Sequence, residues 1–230
     1  MRKYKYLYIV LFSVLLVVLS VGYFFINREV QEERLASDVL EFSKQNLLDD
    51  VSFSDSNVTG DYLVVEESIQ SYLSQFRKQF EIVNSYSQDE KLKSLLSVSN
   101  YMEDGPSFST SIDYLSEQKE KFNQDMDTLL SFCEKSSIQE FIQGSDLSSY
   151  YQNLFEDMMF NYGIYDKLQN VKESLVQSKD NLNQIYDGSL EVLSFLSTYQ
   201  NDWKIENNEI QFSTEDLVNQ YTSLTSLVQS

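Results

Sequence analysis

The sequence predicts a mainly α-helical protein: a single amino-terminal transmembrane helix, then an antiparallel helical bundle with one small β-hairpin near the carboxyl terminus. Three observations predict it. Residues 6–26 contain no charged side chain. Beyond them, apolar residues recur at spacings of three and four, the period of one helix face. Breakers are scarce, with one Pro and six Gly in 230 residues.

Residues 1–5 form a short tail carrying Arg2, Lys3 and Lys5. The uncharged run that follows is about the length a helix needs to cross ~30 Å of hydrocarbon. Tyr4, Tyr6, Tyr8 and Tyr23 lie near its two ends, where amphipathic rings favour the membrane interface. The basic tail places the amino terminus in the cytoplasm and residues 27–230 outside it. A cleaved signal peptide is the rival reading. It fits less well, because the apolar run is long and bulky Tyr-Phe-Phe-Ile follows Gly22 where small residues would be needed. The segment therefore reads as an uncleaved signal-anchor in the cell membrane, with the lipid bilayer as its partner.

The outer part reads as one acidic domain. Leu35, Val39 and Phe42 extend the anchor helix. Tyr62, Val65, Ile69, Tyr72, Phe76, Phe80, Val83 and Tyr86 form a second stripe. Ile112, Leu115, Phe122, Met126, Leu129 and Cys133 form a third, with Lys119 in the missing slot. Leu147, Tyr151, Leu154, Met158, Tyr162, Tyr165, Leu168, Leu175, Leu182 and Ile185 form the fourth and longest. The heptad-like spacing favours long helices packed as in coiled coils and bundles. Breaks are expected across 51–59, at Asp104-Gly105-Pro106, at Gln143-Gly144-Ser145 and at Asp187-Gly188. A kink is expected at Gly163, and Ser109 or Thr110 is the expected cap of the third helix.

Residues 203–212 break the helical period. Asn207-Asn208 suits a type I′ turn, which pairs Trp203 with Phe212, Ile205 with Ile210 and Glu206 with Glu209. The four apolar residues then share one face. The facing glutamates are a flaw in this register. Ser213 is the expected cap of a last helix with Leu217, Tyr221, Leu224 and Val228 on its apolar side.

Composition excludes several chemistries. The chain has no His, so it holds no His-based triad and no His-ligated zinc. One Cys excludes an internal disulfide and a CxxC motif. A net charge of −19 argues against nucleic acid. Residues 27–230 alone hold 14 Lys and Arg against 36 Asp and Glu, a net −22, which repels anionic headgroups and attracts divalent cations diffusely.

One motif is worth weighing. In residues 55–66, Asp55, Asn57, Thr59, Asp61 and Glu66 stand at loop positions 1, 3, 5, 7 and 12, with Gly60 at position 6. This resembles an EF-hand calcium loop. Against it, Thr is a poor fifth-position ligand, an aromatic is missing before the loop, Glu67 replaces an apolar residue, and no second loop pairs with it. The plain alternative is a polar turn in which Thr59 or Asp61 caps a helix. The pairs Asp49-Asp50, Glu66-Glu67 and Glu156-Asp157 point about 100° apart on a helix and read as solvated faces. Cys133 reads as a small core residue, and Asn57-Val58-Thr59 matches a glycosylation sequon.

No catalytic residue and no cofactor site is expected. The leading functional expectation is a membrane-tethered extracytoplasmic interaction or scaffold protein without catalytic activity. It would meet a protein partner or a second copy of itself. The alternative is a helical-bundle ligand-binding or sensory module acting through a partner, with residues 55–66 as a calcium link.

Overall fold

In the computed structural model, residues 25–48 and 56–228 are described; they are mainly helical, with one two-stranded hairpin. The span expected at residues 6–26 lies outside them except for Phe25 and Ile26. No described helix is long and apolar enough to cross a membrane. The chain divides into two compact units. Among the described residues, the first holds 25–48, 56–74 and 135–168, and the second holds 75–134 and 169–228.

The helices are α1 (residues 25–42), α2 (Asp61–Ser87), α3 (Glu90–Ser94), α4 (Val98–Asp104), α5 (Ser109–Ser131), α6 (Lys135–Gln143), α7 (Ser149–Asn161), α8 (Ile164–Thr198) and α9 (Glu215–Val228). The hairpin strands are β1 (Trp203–Glu206) and β2 (Glu209–Phe212).

In the first unit, Leu35, Val39 and Phe42 of α1 are buried, as are Val65, Ile69 and Tyr72 of α2. Ile138 and Ile142 of α6, and Phe155, Met158 and Met159 of α7, complete this core. Tyr72 meets Phe141 edge-on with centroids 5.1 Å apart, and Phe141 stacks on Phe155 at 6.0 Å. The fourth apolar stripe does not run through as one kinked helix. It splits into α7 and α8 at Gly163, whose φ of +89° is left-handed and strained for other residues.

In the second unit, α5 runs antiparallel to α8. Lys119 pairs with Asp187, Asn123 with Asn183, Lys179 with Asp127 and Lys172 with Glu134, so one number falls as the other rises. Lys119 in the gap of the third stripe is thereby an inter-helix partner of α8. The expected break at Asp187-Gly188 is absent, and α8 continues to Thr198. A Cβ at Gly188 would stand 2.7 Å from Val228 Cγ2, so this glycine serves the close approach of α9 and not a helix end. Towards the end of α8 the buried face passes from Leu175 to Tyr186, Ser189, Val192, Leu193 and Leu196, while Ile185 is only half-buried.

Two caps differ from expectation. Neither Ser109 nor Thr110 caps α5; Asp104 reaches across the Gly105-Pro106 turn and accepts from the Ser111 amide at 2.7 Å. Hydrogen bonds from Ser111 and Thr110 outweigh the upward push of burial and hold the Asp104 carboxyl below its ordinary range. Thr214, not Ser213, accepts from the Leu217 amide at the start of α9. Ser213 closes the base of the hairpin, its amide donating to the Asp202 carbonyl and its hydroxyl to the Asp202 carboxylate.

The hairpin has the expected register: Trp203 with Phe212, Lys204 with Gln211, Ile205 with Ile210, Glu206 with Glu209. Asn207 and Asn208 take φ of 52° and 65°, as a type I′ turn requires. Lys204 Nζ sits 2.6 Å from Glu206 on the exposed face, which places a counter-charge beside the facing glutamates. Trp203 stacks on Phe108 at 6.0 Å and donates its indole N–H to the Leu196 carbonyl at 2.7 Å. Phe212 meets Tyr221 at 5.2 Å and Phe195 at 6.0 Å. The hairpin is therefore packed into the second unit by its apolar face.

Candidate functional site

The calcium-like segment leads into α2. Asp55 lies outside the described residues. Gly60 takes a left-handed φ of +63° immediately before the helix, and Asp61 is exposed in its first turn. The remaining candidates are tied to α1 or to the segment itself. The Asn57 side chain donates to Asp38 Oδ1 at 3.3 Å, while its carbonyl accepts from Arg34. The Thr59 amide donates to Gln31 Oε1 at 3.0 Å. Glu66 is buried at 3 % exposure and accepts from the Ser56 hydroxyl at 2.7 Å. Burial raises the Glu66 carboxyl above its ordinary range against the opposing Ser56 hydrogen bond, with help from nearby Asp38 and Glu67. The second carboxylate oxygen of Asp38 is buried without a partner among the described residues. The segment thus serves as a clasp between the α1 face and the start of α2, with Asn57 and Thr59 turned to separate α1 partners. Among the described residues, no group of three or more His, Cys, Asp or Glu side chains is placed to hold a metal ion.

Of the other singled-out carboxylates, Glu156 and Asp157 have local partners. Asp49-Asp50 lies outside the described residues. Glu67 is exposed beside buried Glu66. Glu156 accepts from Gln139 and Asp157 from Asn161. Cys133 is fully buried just past α5, and burial pushes its thiol up to about 11. That leaves it almost wholly protonated at neutral pH, without the thiolate a nucleophile needs.

Among the described residues, three open cavities stand out. One of about 430 Å³ is lined by Lys91, Ser94, Asn100, Glu103, Asp104 and Thr110, among others. Its polar atoms are partly committed: Asn100 donates to the Leu95 carbonyl and to Ser111, and Asp104 caps α5. One of about 240 Å³ lies at the hairpin, between Asn201, Asp202, Trp203, Lys204 and Gln211.

The third, of about 310 Å³, belongs to the first unit and is lined by Asn27, Arg28, Tyr62, Tyr150 and Tyr151. Its rings are set by helix starts: Tyr62 opens α2, while Tyr150 and Tyr151 open α7. Tyr62 meets Tyr151 edge-on at 5.1 Å, and Tyr150 meets Tyr151 at 4.8 Å. The Arg28 guanidinium lies 4.0 Å over the Tyr150 ring, with its Nε 2.8 Å from Glu32. The Tyr150 hydroxyl donates to Glu32 and lies 3.3 Å from the Tyr62 hydroxyl. Burial, then the Glu32 contact, raises the Tyr150 phenol well above its ordinary range, so it stays a neutral donor. The sequence placed Tyr62 and Tyr151 on separate apolar stripes and held no sign that Arg28 and Tyr150 would join them. The arrangement offers ring edges, hydroxyls and one cation, without a nucleophile beside a base.

No known protein family, curated protein or solved structure matches the chain.

Proposed function

We propose that this chain is a membrane-tethered interaction or scaffold protein without catalytic activity, its helical part standing outside the cytoplasm. One observation carries the reading: an uncharged run behind three basic residues leads without a turn signal into α1. From there α1 buries Leu35, Val39 and Phe42 in the first unit, so the packed part of the chain begins within a few turns of the uncharged run. The acidic surface and the inward-facing clasps at Glu66 and Tyr150 fit a body that is held in place and presents a face. The test is topology. Protease added to intact cells, or to spheroplasts where there is an outer membrane, is expected to degrade a carboxyl-terminal tag. A protected tag reverses the orientation, and a shortened, freely released product shows cleavage of a leader.

The polar cavity of about 430 Å³ supports a second reading, a ligand-binding or sensory module acting through a partner. Glu103→Ala, which alters that lining without touching the Asp104 cap, separates the two. A scaffold keeps its partner binding in this variant, and a ligand sensor loses its response.

A further inference from the structure

The tyrosine cavity of the first unit lies where the tether meets the folded chain. Asn27 and Arg28, which line it, directly follow Ile26, the last residue of the uncharged run. At about 1.5 Å per helical residue, Arg28 stands ~3 Å and Glu32 ~9 Å beyond that point. The headgroup layer on one side of a bilayer is roughly 5–8 Å deep, from its total and hydrocarbon thicknesses. Tyr150, which touches both Arg28 and Glu32, is therefore held at headgroup depth, with Tyr62 and Tyr151 packed against it. Tyrosine is the residue type that favours this level, having an apolar body and a wet tip. Residues 27–230 carry −22 overall, while the one charged side chain among the five that line this cavity is Arg28, paired with Glu32 at 2.8 Å.

We infer that this end of the first unit is a membrane seat, in which Tyr150, Tyr151 and Arg28, backed by the buried ring of Tyr62, receive a phospholipid headgroup of the bilayer that holds residues 6–26. The inference rests on the tethered reading above. The guanidinium, stacked on Tyr150 and steadied by Glu32, faces the lipid phosphate. The rings fill the space between neighbouring headgroups, so that the tether and domain meet at a fixed depth.

The test uses the full chain in vesicles of phosphatidylcholine and phosphatidylglycerol, with Cys133→Ser to leave one labelling site. An environment-sensitive fluorophore is placed at Ser149→Cys, beside the seat, or at Asn161→Cys, about 18 Å away at the other end of α7. Lipids carrying a nitroxide on the headgroup are expected to quench the label at 149 at least threefold more than the label at 161. Tyr151→Ser is expected to reduce the quenching at 149 while that at 161 stays unchanged. Equal, weak quenching at both positions in chains that float with the vesicles overturns the seat and leaves the tether standing. Chains that fail to float overturn both.

Discussion

At the scale of single residues, the informative groups are buried polar atoms. Glu66 is an acid inside an apolar stripe, held by Ser56 and raised above its ordinary range mainly by burial. A raised acid favours its protonated form in the folded state. Its contribution is therefore fully present below the ordinary Glu value, roughly pH 4.3, and is lost as pH rises through the higher folded value. Glu66→Gln keeps an acceptor for Ser56 and has no charge to bury. Its melting temperature is expected to gain on the wild type as pH rises from about 4 to 7, read by thermal melts across that range. A constant difference across the range would contradict it. Tyr186 is a second case: it is fully buried, its hydroxyl has no partner among the described residues, and burial pushes the phenol up to about 12. An unmet buried hydroxyl costs on the order of 1 kcal/mol or more, so Tyr186→Phe is expected to be neutral or stabilising by about that amount in denaturant unfolding. Neither residue was legible in the sequence. Glu66 occupied the last position of a calcium-like loop, and Tyr186 sat one position off the stripe through Ile185. Spacing shows which face is apolar, but not which polar atom that face closes over.

At the scale of elements, local chemistry was largely legible where the deciding contact lay within a few residues. The hairpin is the clearest case, because Asn207-Asn208 fixes the turn and the turn fixes every pair. The misplaced cap of α5 and the continuous α8 had distant causes, whereas the cap of α9 was missed by one residue, Thr214 for Ser213. Asp104 reaches seven residues to Ser111, and Gly188 answers Val228 forty residues on. Trp203 tests how the hairpin is held. It is half-buried, stacked on Phe108, and bonded to the Leu196 carbonyl. Trp203→Ala is expected to cost about 2–4 kcal/mol, somewhat under the range for a fully buried aromatic. Lys204→Ala, which removes an exposed pair with Glu206, is expected to cost under about 0.5 kcal/mol. Denaturant unfolding of the two variants measures both. Equal, small losses would mean that the hairpin is carried by β2 and Phe212 alone.

At the scale of the whole molecule, charge is the dominant unlocalised property. Residues 27–230 carry a net −22, and the described ion pairs are mostly exposed: Lys93–Glu90, Lys121–Glu117 and Lys204–Glu206 have both side chains at least half exposed. Exposed pairs of this kind contribute little, so they do not offset the summed repulsion of the acidic excess. Cores that exclude water in each unit must hold the chain against it, with Phe42, Tyr72 and Phe155 buried in one and Phe108, Phe122 and Tyr186 in the other. Residues 27–230 alone are therefore expected to fold as a mainly helical body, seen by circular dichroism with a cooperative melt. Its melting temperature should rise between 10 mM and about 0.3 M NaCl, over which the screening length falls from ~30 Å to below 10 Å. Diffuse attraction also makes a specific prediction about calcium. With Asn57 and Thr59 engaged by α1 and Glu66 buried on Ser56, calcium is expected to raise the melting temperature no more than magnesium at equal ionic strength. Glu66→Gln is expected to respond to both ions as the wild type does. A calcium-specific rise that disappears in Glu66→Gln would instead mean that the clasp opens into a true cation loop.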